Sequence, residues 1–132
     1  MAEHELKIRV YFEDTDAGGV VYHASYIRFA ERGRTEMLRE AGFEHARLFK
    51  ETGVCFAVVS MQIDYNAPAR LDDLLVVRSS ITRLGGASME MQQDIADGDR
   101  LLVRMKVTLV CIDSKFKAVR LPAEIRKIFE GI

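Results

Sequence analysis

The sequence predicts an α+β fold of two layers, in which one long helix packs on one face of an antiparallel sheet of about five strands. Apolar residues recur every three or four positions over one long segment, residues 23 to 41. In one segment before this helix and in several segments after it, apolar residues instead alternate with polar residues. Turn sequences, Gly85-Gly86 and Asp97-Gly98-Asp99, separate the later segments, which is typical of consecutive antiparallel strands.

The first strand is predicted over about residues 5 to 12. Alternate positions there are apolar, at Leu6, Ile8, Val10 and Phe12. The next stretch, residues 13 to 21, contains three acids and the pair Gly18-Gly19, so we expect an irregular loop.

The long helix is predicted to begin near His23 or Ala24 and to end before Gly42, which occupies the usual place of a helix C-terminal glycine. Gly33 lies in the middle of this helix, where glycine costs stability. We therefore expect Gly33 to allow close packing of the helix on the sheet. A short second helix is expected over about residues 43 to 50.

The second half of the chain is predicted to be mostly β. Val59, Met61, Ile63 and Tyr65 alternate with polar residues and are predicted to share one face of a strand over residues 59 to 65. Further strands are predicted over residues 74 to 84 and 89 to 95. The segment 101 to 112 is apolar on both faces, which favours a central place in the sheet or burial by another subunit. Pro122 suits the first turn of a last short helix. A single long helix leaves one sheet face and the edge strands open, so we expect self-association.

Composition excludes several classes of protein. The length of 132 residues predicts a single domain over residues 1–132. The net charge of -1 argues against a basic nucleic-acid-binding surface. Cys55 and Cys111 lie in apolar segments without Cys-x-x-Cys spacing, so we expect buried, reduced thiols and no zinc site. The charged start resembles no signal peptide, and no apolar run is long enough to span a membrane. These features predict a soluble, cytoplasmic protein.

The loop from Asp16 to His23 is the segment best suited to chemistry. It places a carboxylate, two glycines and a histidine between a strand and the start of a helix. The unpaired N–H groups and the positive dipole end of a helix N-terminus can bind a developing oxyanion. A carboxylate beside them could attack an acyl group or activate water. Together they suffice for a thioester, because a thiol of pKa about 8.5 is a good leaving group.

Structural interpretations of the same residues stay open at this point. An acidic loop before a helix often serves only capping and solvation, and His23 could be an ordinary helix-start residue. We expect His4 and His45 to be structural or solvated. The arginines of the long helix alternate with glutamates, which indicates a solvated face: Arg28, Arg32, Arg34 and Arg39. Neither a phosphate-binding loop nor a nucleophile elbow is present in the sequence.

Several motifs nevertheless resemble a known family. Arg9-Val10, Thr15-Asp16, Gly19-Val20-Val21-Tyr22 and Tyr26 occur at the spacing of the signature of the 4-hydroxybenzoyl-CoA thioesterase family. Further stretches are closest to its YbgC-type acyl-CoA thioesterases, the branch associated with the bacterial Tol-Pal cluster: Tyr22-His23-Ala24-Ser25-Tyr26, Arg34-Thr35-Glu36-Met37-Leu38-Arg39 and Asn66-Ala67-Pro68-Ala69-Arg70-Leu71-Asp72-Asp73. The resemblance covers nearly the whole chain.

This resemblance implies a hotdog fold, in which the sheet wraps around the long helix, and dimers or tetramers with active sites between subunits. It implies that Asp16 is the catalytic carboxylate, as nucleophile or as general base. His23 would polarise the thioester carbonyl through its backbone N–H, and Tyr22 would contact substrate. The substrate would be an acyl-CoA, with acyl carrier protein as a further partner and no metal or cofactor.

Two other functions remain open at the level of sequence. One is a hotdog dehydratase acting on hydroxyacyl thioesters, although the His-Phe-Pro context of the familiar dehydratases is absent from this sequence. The other is a non-catalytic binder of acyl thioesters, or a scaffold for envelope and lipid-synthesis proteins.

Overall fold

The computed structural model describes residues 3–130, which form five strands and three helices. The strands are β1 His4–Arg9, β2 Cys55–Tyr65, β3 Leu74–Leu84, β4 Ser88–Asp97 and β5 Arg100–Ile112; the helices are α1 Ser25–Glu40, α2 His45–Thr52 and α3 Ala123–Glu130. Within this part of the chain, no helix is both long enough and apolar enough to cross a membrane.

All strands pair antiparallel in one sheet of order β1-β3-β4-β5-β2. The strand that is apolar on both faces, β5, lies between β4 and β2, so its predicted central position is confirmed. Helix α1 packs mainly on β1 and β3. The predicted α+β class, the single long helix and the five-stranded antiparallel sheet are therefore confirmed. The edges of the sheet are β1 and β2.

Gly33 lies where α1 comes closest to β3. A Cβ atom at this position would be 2.7 Å from Val77 Cγ1 and 3.1 Å from Ser79 Oγ, so the helix could not approach the sheet this closely with a side chain here. The predicted role of Gly33 in close packing is confirmed.

We expect Gly33→Ala to lower the free energy of unfolding by about 1 kcal/mol. Overpacking of about 2 kcal/mol outweighs the gain of about 1 kcal/mol from the better helix propensity of alanine. Chemical denaturation measures the difference. Gly86→Ala is the control, because the nearest atom to its added Cβ, Arg120 Nη1, is 3.8 Å away. Stabilisation by Gly33→Ala would show that helix propensity outweighs this contact.

Local structure departs from the predictions at two edges of the sheet. Strand β1 ends at Arg9 rather than near residue 12, because the Val10 N–H and C=O bond to Asp73 and Asp72 outside the ladder and Phe12 begins a 3-10 turn. The predicted inward position of Phe12 is wrong, since its side chain is 81% exposed. The prediction for Cys55 is also wrong: it is only half-buried on edge strand β2, whereas Cys111 is buried.

A β-bulge changes the alternation of β2. The register with β5 skips Val59, so that Val58 pairs with Leu109 and Met61 pairs with Val107. The prediction that Val59 shares a face with Met61 is therefore wrong. The inner face of β2 instead carries the residues that oppose alternate buried positions of β5: Phe56, Val58, Met61, Ile63 and Tyr65.

Candidate active site

The loop that carries Asp16 is a small hairpin. Thr15 pairs with Val21, and the Asp16 N–H donates to the Val20 carbonyl at 2.9 Å. Gly19 closes the turn with φ of +79°, a conformation that L side chains rarely adopt. Its N–H donates to the Asp16 carbonyl at 3.0 Å. The glycine pair of the sequence is thus explained by this turn and not by phosphate binding.

The Asp16 carboxylate is exposed, and a backbone contact holds it in place. The Gly18 N–H donates to Asp16 Oδ1 at 2.8 Å, and a Cβ at Gly18 would come within 3.2 Å of the same oxygen. The second oxygen, Oδ2, accepts no hydrogen bond from residues 3–130. The hairpin therefore presents one free carboxylate oxygen in a defined orientation.

A second aspartate, Asp14, joins the hairpin to the start of α1. Its side chain is buried, and Oδ2 accepts a hydrogen bond from the Tyr11 N–H at 2.9 Å. Its carbonyl oxygen accepts from the Tyr22 N–H at 2.8 Å and from Ser25 Oγ at 3.2 Å. Sequence reasoning missed this role because Asp14 is one of several neighbouring acids, and the sequence does not show which of them is buried.

The N-terminus of α1 is open. Ala24 occupies the N-cap and supplies no capping side chain, and no acid lies in the first turn. The Ser25 N–H donates to the Tyr22 carbonyl at 2.8 Å, but the N–H groups of His23 and Ala24 find no acceptor within residues 3–130. Unpaired N–H groups at the positive end of a helix dipole are suited to bind an oxyanion.

Two tyrosines support this helix end. Tyr65 donates its hydroxyl to the His23 carbonyl at 2.9 Å, and burial raises the pKa of Tyr65, which keeps the donor proton in place. The buried Tyr26 hydroxyl accepts from the Ala69 N–H at 3.0 Å, and the Ala69 carbonyl accepts from the Val21 N–H at 2.9 Å. These bonds connect α1, the segment after β2 and the hairpin. Sequence reasoning did not identify Tyr65, whose partner is 42 residues away.

The three residues predicted for the site are all exposed. Tyr22 and His23 are in contact, with ring centroids 4.5 Å apart. Asp16 lies in the hairpin whose return arm continues into Tyr22 and His23, but no hydrogen bond joins its carboxylate to His23 within residues 3–130. The other histidines lie elsewhere: His4 is half-buried with its Nε2 3.0 Å from Glu40, and His45 is exposed at the start of α2.

The chain matches known proteins over most of its length. Residues 18–104 match the family model of the thioesterase superfamily. The acyl-CoA thioester hydrolase YbgC of Escherichia coli is 49% identical over 89% of each chain. The acyl-CoA thioesterase YbgC of Haemophilus influenzae is 42% identical over 95% of this chain and 93% of the relative. A probable thioesterase of Bartonella henselae superposes with a TM-score of 0.88 at 43% identity, covering 92% of this chain and 100% of that structure.

The architecture agrees with these matches. The solved neighbours are hotdog-fold thioesterases, and the antiparallel sheet around one long helix is that fold. The chain therefore belongs to the thioesterase superfamily of hotdog-fold thioester hydrolases.

Proposed function

We propose that this enzyme hydrolyses acyl-CoA thioesters, with Asp16 as the catalytic carboxylate and the open N-terminus of α1 as the oxyanion site. One observation carries the proposal. An exposed carboxylate, oriented by the Gly18 N–H, belongs to the hairpin that leads into a helix end with unpaired N–H groups at His23 and Ala24. The names of the relatives, which act on acyl-CoA, supply the substrate class.

The chemistry requires little beyond these groups. The thioester carbonyl oxygen accepts hydrogen bonds from the His23 and Ala24 N–H groups, which stabilise the negative charge as the tetrahedral intermediate forms. Asp16 either attacks the carbonyl carbon, giving an acyl-aspartyl anhydride that water cleaves, or removes a proton from an attacking water. In both routes the C–S bond breaks, CoA leaves as a thiolate that then takes a proton, and the acyl group leaves as a carboxylic acid.

Labelled water distinguishes the two routes. In a single turnover in ¹⁸O-water, the nucleophilic route labels Asp16 when water attacks the aspartyl carbonyl of the anhydride, and the product acid then carries an oxygen of Asp16; attack at the acyl carbonyl puts the label into the acid instead. The general-base route puts the label only into the acid, so label on Asp16 identifies the nucleophilic route. Mass spectrometry of the Asp16 peptide reads the outcome.

We further propose that the active enzyme is a homodimer or homotetramer. Edge strand β2 presents exposed Val58 and Val59, and an open apolar edge invites pairing with a second copy. Tyr22, exposed beside His23, would complete the substrate site at this interface. We also propose that this single hotdog domain acts in the cytoplasm, accepts acyl carrier protein as a second thioester donor and is associated with the Tol-Pal cluster.

A thiol-release assay on acyl-CoA substrates of short, long and aromatic acyl groups tests the proposed function. We expect hydrolysis of at least one class, with a free acid as the only acyl product. Binding without thiol release would favour the non-catalytic function, and release of an unsaturated acyl thioester from a hydroxyacyl substrate would favour the dehydratase.

A further inference from the structure

A cavity lies between α1 and the sheet, at the end of α1 away from the candidate active site. It measures about 220 Å³ and is lined mostly by apolar side chains from β2, β4 and β5, among them Phe56, Val58, Met89 and Met91. Thr35 lines it from α1. No sequence motif indicated this cavity, because its walls come from separate elements.

One face of α1 extends from the candidate active site to this cavity. Ile27, Glu31 and Thr35 follow one another at four-residue spacing, so they form one row on α1. The row begins one turn after His23 and ends with two residues that line the cavity, Glu31 and Thr35.

The inner face of β2 likewise extends from the candidate active site to the cavity. Tyr65, whose hydroxyl bonds to the His23 carbonyl, opposes Val103 of β5, whereas Val58 opposes Leu109. The bulge at Val59 keeps Val58 on the same face as Met61, Ile63 and Tyr65. Along β5, Val103 and Leu109 are six residues apart, so the Val58–Leu109 pair lies about 20 Å from the Tyr65–Val103 pair. The Met61–Val107 pair lies between them, about 13 Å from the Tyr65–Val103 pair. An apolar row thus connects the oxyanion site to the cavity.

The walls of the cavity favour a neutral aliphatic ligand. Three titratable side chains also line it: Glu31, Arg34 and His45. Burial lowers the pKa of Arg34, whereas Glu31 and His45 are exposed to solvent. Arg34 is half-buried and donates to Gln93 Oε1 at 2.9 Å, so its guanidinium is engaged with the sheet. The predicted solvated position of Arg34 is therefore wrong, and what remains open to a ligand is mainly apolar surface.

We propose that this cavity binds the distal end of the acyl chain and makes the enzyme selective for long, unbranched acyl-CoA substrates. This inference rests on the proposed function. A carbon–carbon bond of about 1.5 Å advances an extended chain by somewhat less than its length. A chain of roughly ten carbons therefore reaches from the oxyanion site to Met61, and roughly sixteen carbons are needed to reach Val58 in the cavity wall. A butyryl group is too short to reach the cavity.

The test compares kcat/KM for butyryl-, octanoyl-, dodecanoyl- and hexadecanoyl-CoA in the full-length protein. We expect the native enzyme to prefer dodecanoyl over butyryl by at least about tenfold, because each buried methylene adds to transition-state binding. Thr35→Phe reduces the cavity, and we expect it to lower the ratio of hexadecanoyl to butyryl activity by about tenfold. Phe56→Ala enlarges the cavity, and we expect it to move the optimum toward hexadecanoyl-CoA.

Opposite shifts from these two variants separate selectivity from a loss of stability, which would lower all activities together. Phe49→Ala is the matched control, since Phe49 is exposed on α2 and does not line the cavity; its chain-length profile should equal that of the native enzyme. If Thr35→Phe does not fold, the shift in Phe56→Ala decides the matter. A flat profile, or one that neither variant moves, would overturn the chain-length role while leaving the proposed hydrolysis intact. Hydrolysis of none of the four substrates, nor of aromatic acyl-CoA, would overturn both.

Discussion

Asp16→Asn should lower kcat for acyl-CoA hydrolysis by about 10³-fold, or roughly 4 kcal/mol of transition-state stabilisation. A neutral amide neither attacks a thioester carbonyl nor removes a proton from water. The amide oxygen can still accept the hydrogen bond that the Gly18 N–H gives to Asp16 Oδ1 at 2.8 Å, so the hairpin should keep its structure. Thiol release measures kcat, and thermal melting checks that the fold is unchanged.

Glu13→Gln is the matched control for this substitution. Glu13 is an exposed carboxylate in the same loop, and its removal changes the local charge by the same amount. We expect its kcat to stay within about twofold of the native value, because surface charge acts weakly through solvent. Near-native turnover in Asp16→Asn, or an equal loss in both variants, would contradict the assignment of Asp16.

The sequence predicted local structure well where the residues concerned are close along the chain. Asp16, the glycine pair and the start of α1 lie within ten residues, so a strand, a turn and a helix start were enough to place them together. The role of Tyr65 could not be predicted from the sequence, because its hydrogen bond to the His23 carbonyl depends on how β2 crosses the end of α1. Asp14 was missed because its burial and the hydrogen bonds of its carbonyl oxygen with Tyr22 and Ser25 depend on how the hairpin folds back on the start of α1.

The same distinction holds for the fold. The spans of β3 and β5 were predicted almost to the residue, because two-residue periodicity and glycine turns are local properties. The bulge at Val59 interrupts that periodicity, and only the register with β5 reveals it. One signal was available and unused: alternation through Met89, Met91 and Ile95 places Gln93 on the buried face of β4.

Gln93 is fully buried and joins α1 to the sheet through polar contacts. Its Nε2 donates to the Ala30 carbonyl and to Ser79 Oγ, both at 2.8 Å, and its Oε1 accepts from Arg34 Nη1 at 2.9 Å. The contacts surround Gly33, where helix and sheet approach most closely. Because α1 carries the proposed oxyanion site at one end and lines the cavity along its side, this connection sets the position of both.

Gln93→Met should lower the free energy of unfolding by about 3 kcal/mol. Methionine fills a similar volume, but it leaves Ser79 Oγ and the half-buried Arg34 guanidinium without their partner, and each unpaired group costs about 1 to 3 kcal/mol. For a chain of this length the loss corresponds to a fall in Tm of about 10 °C. Gln92→Met is the control, since Gln92 lies next to Gln93 on the opposite face of β4 and its side chain, within residues 3–130, bonds only to Asp94, at 3.3 Å; we expect a change below about 1 kcal/mol. Equal losses in the two variants would mean that the buried amide contributes no more than an ordinary strand side chain, and α1 would then be held to the sheet by apolar packing alone.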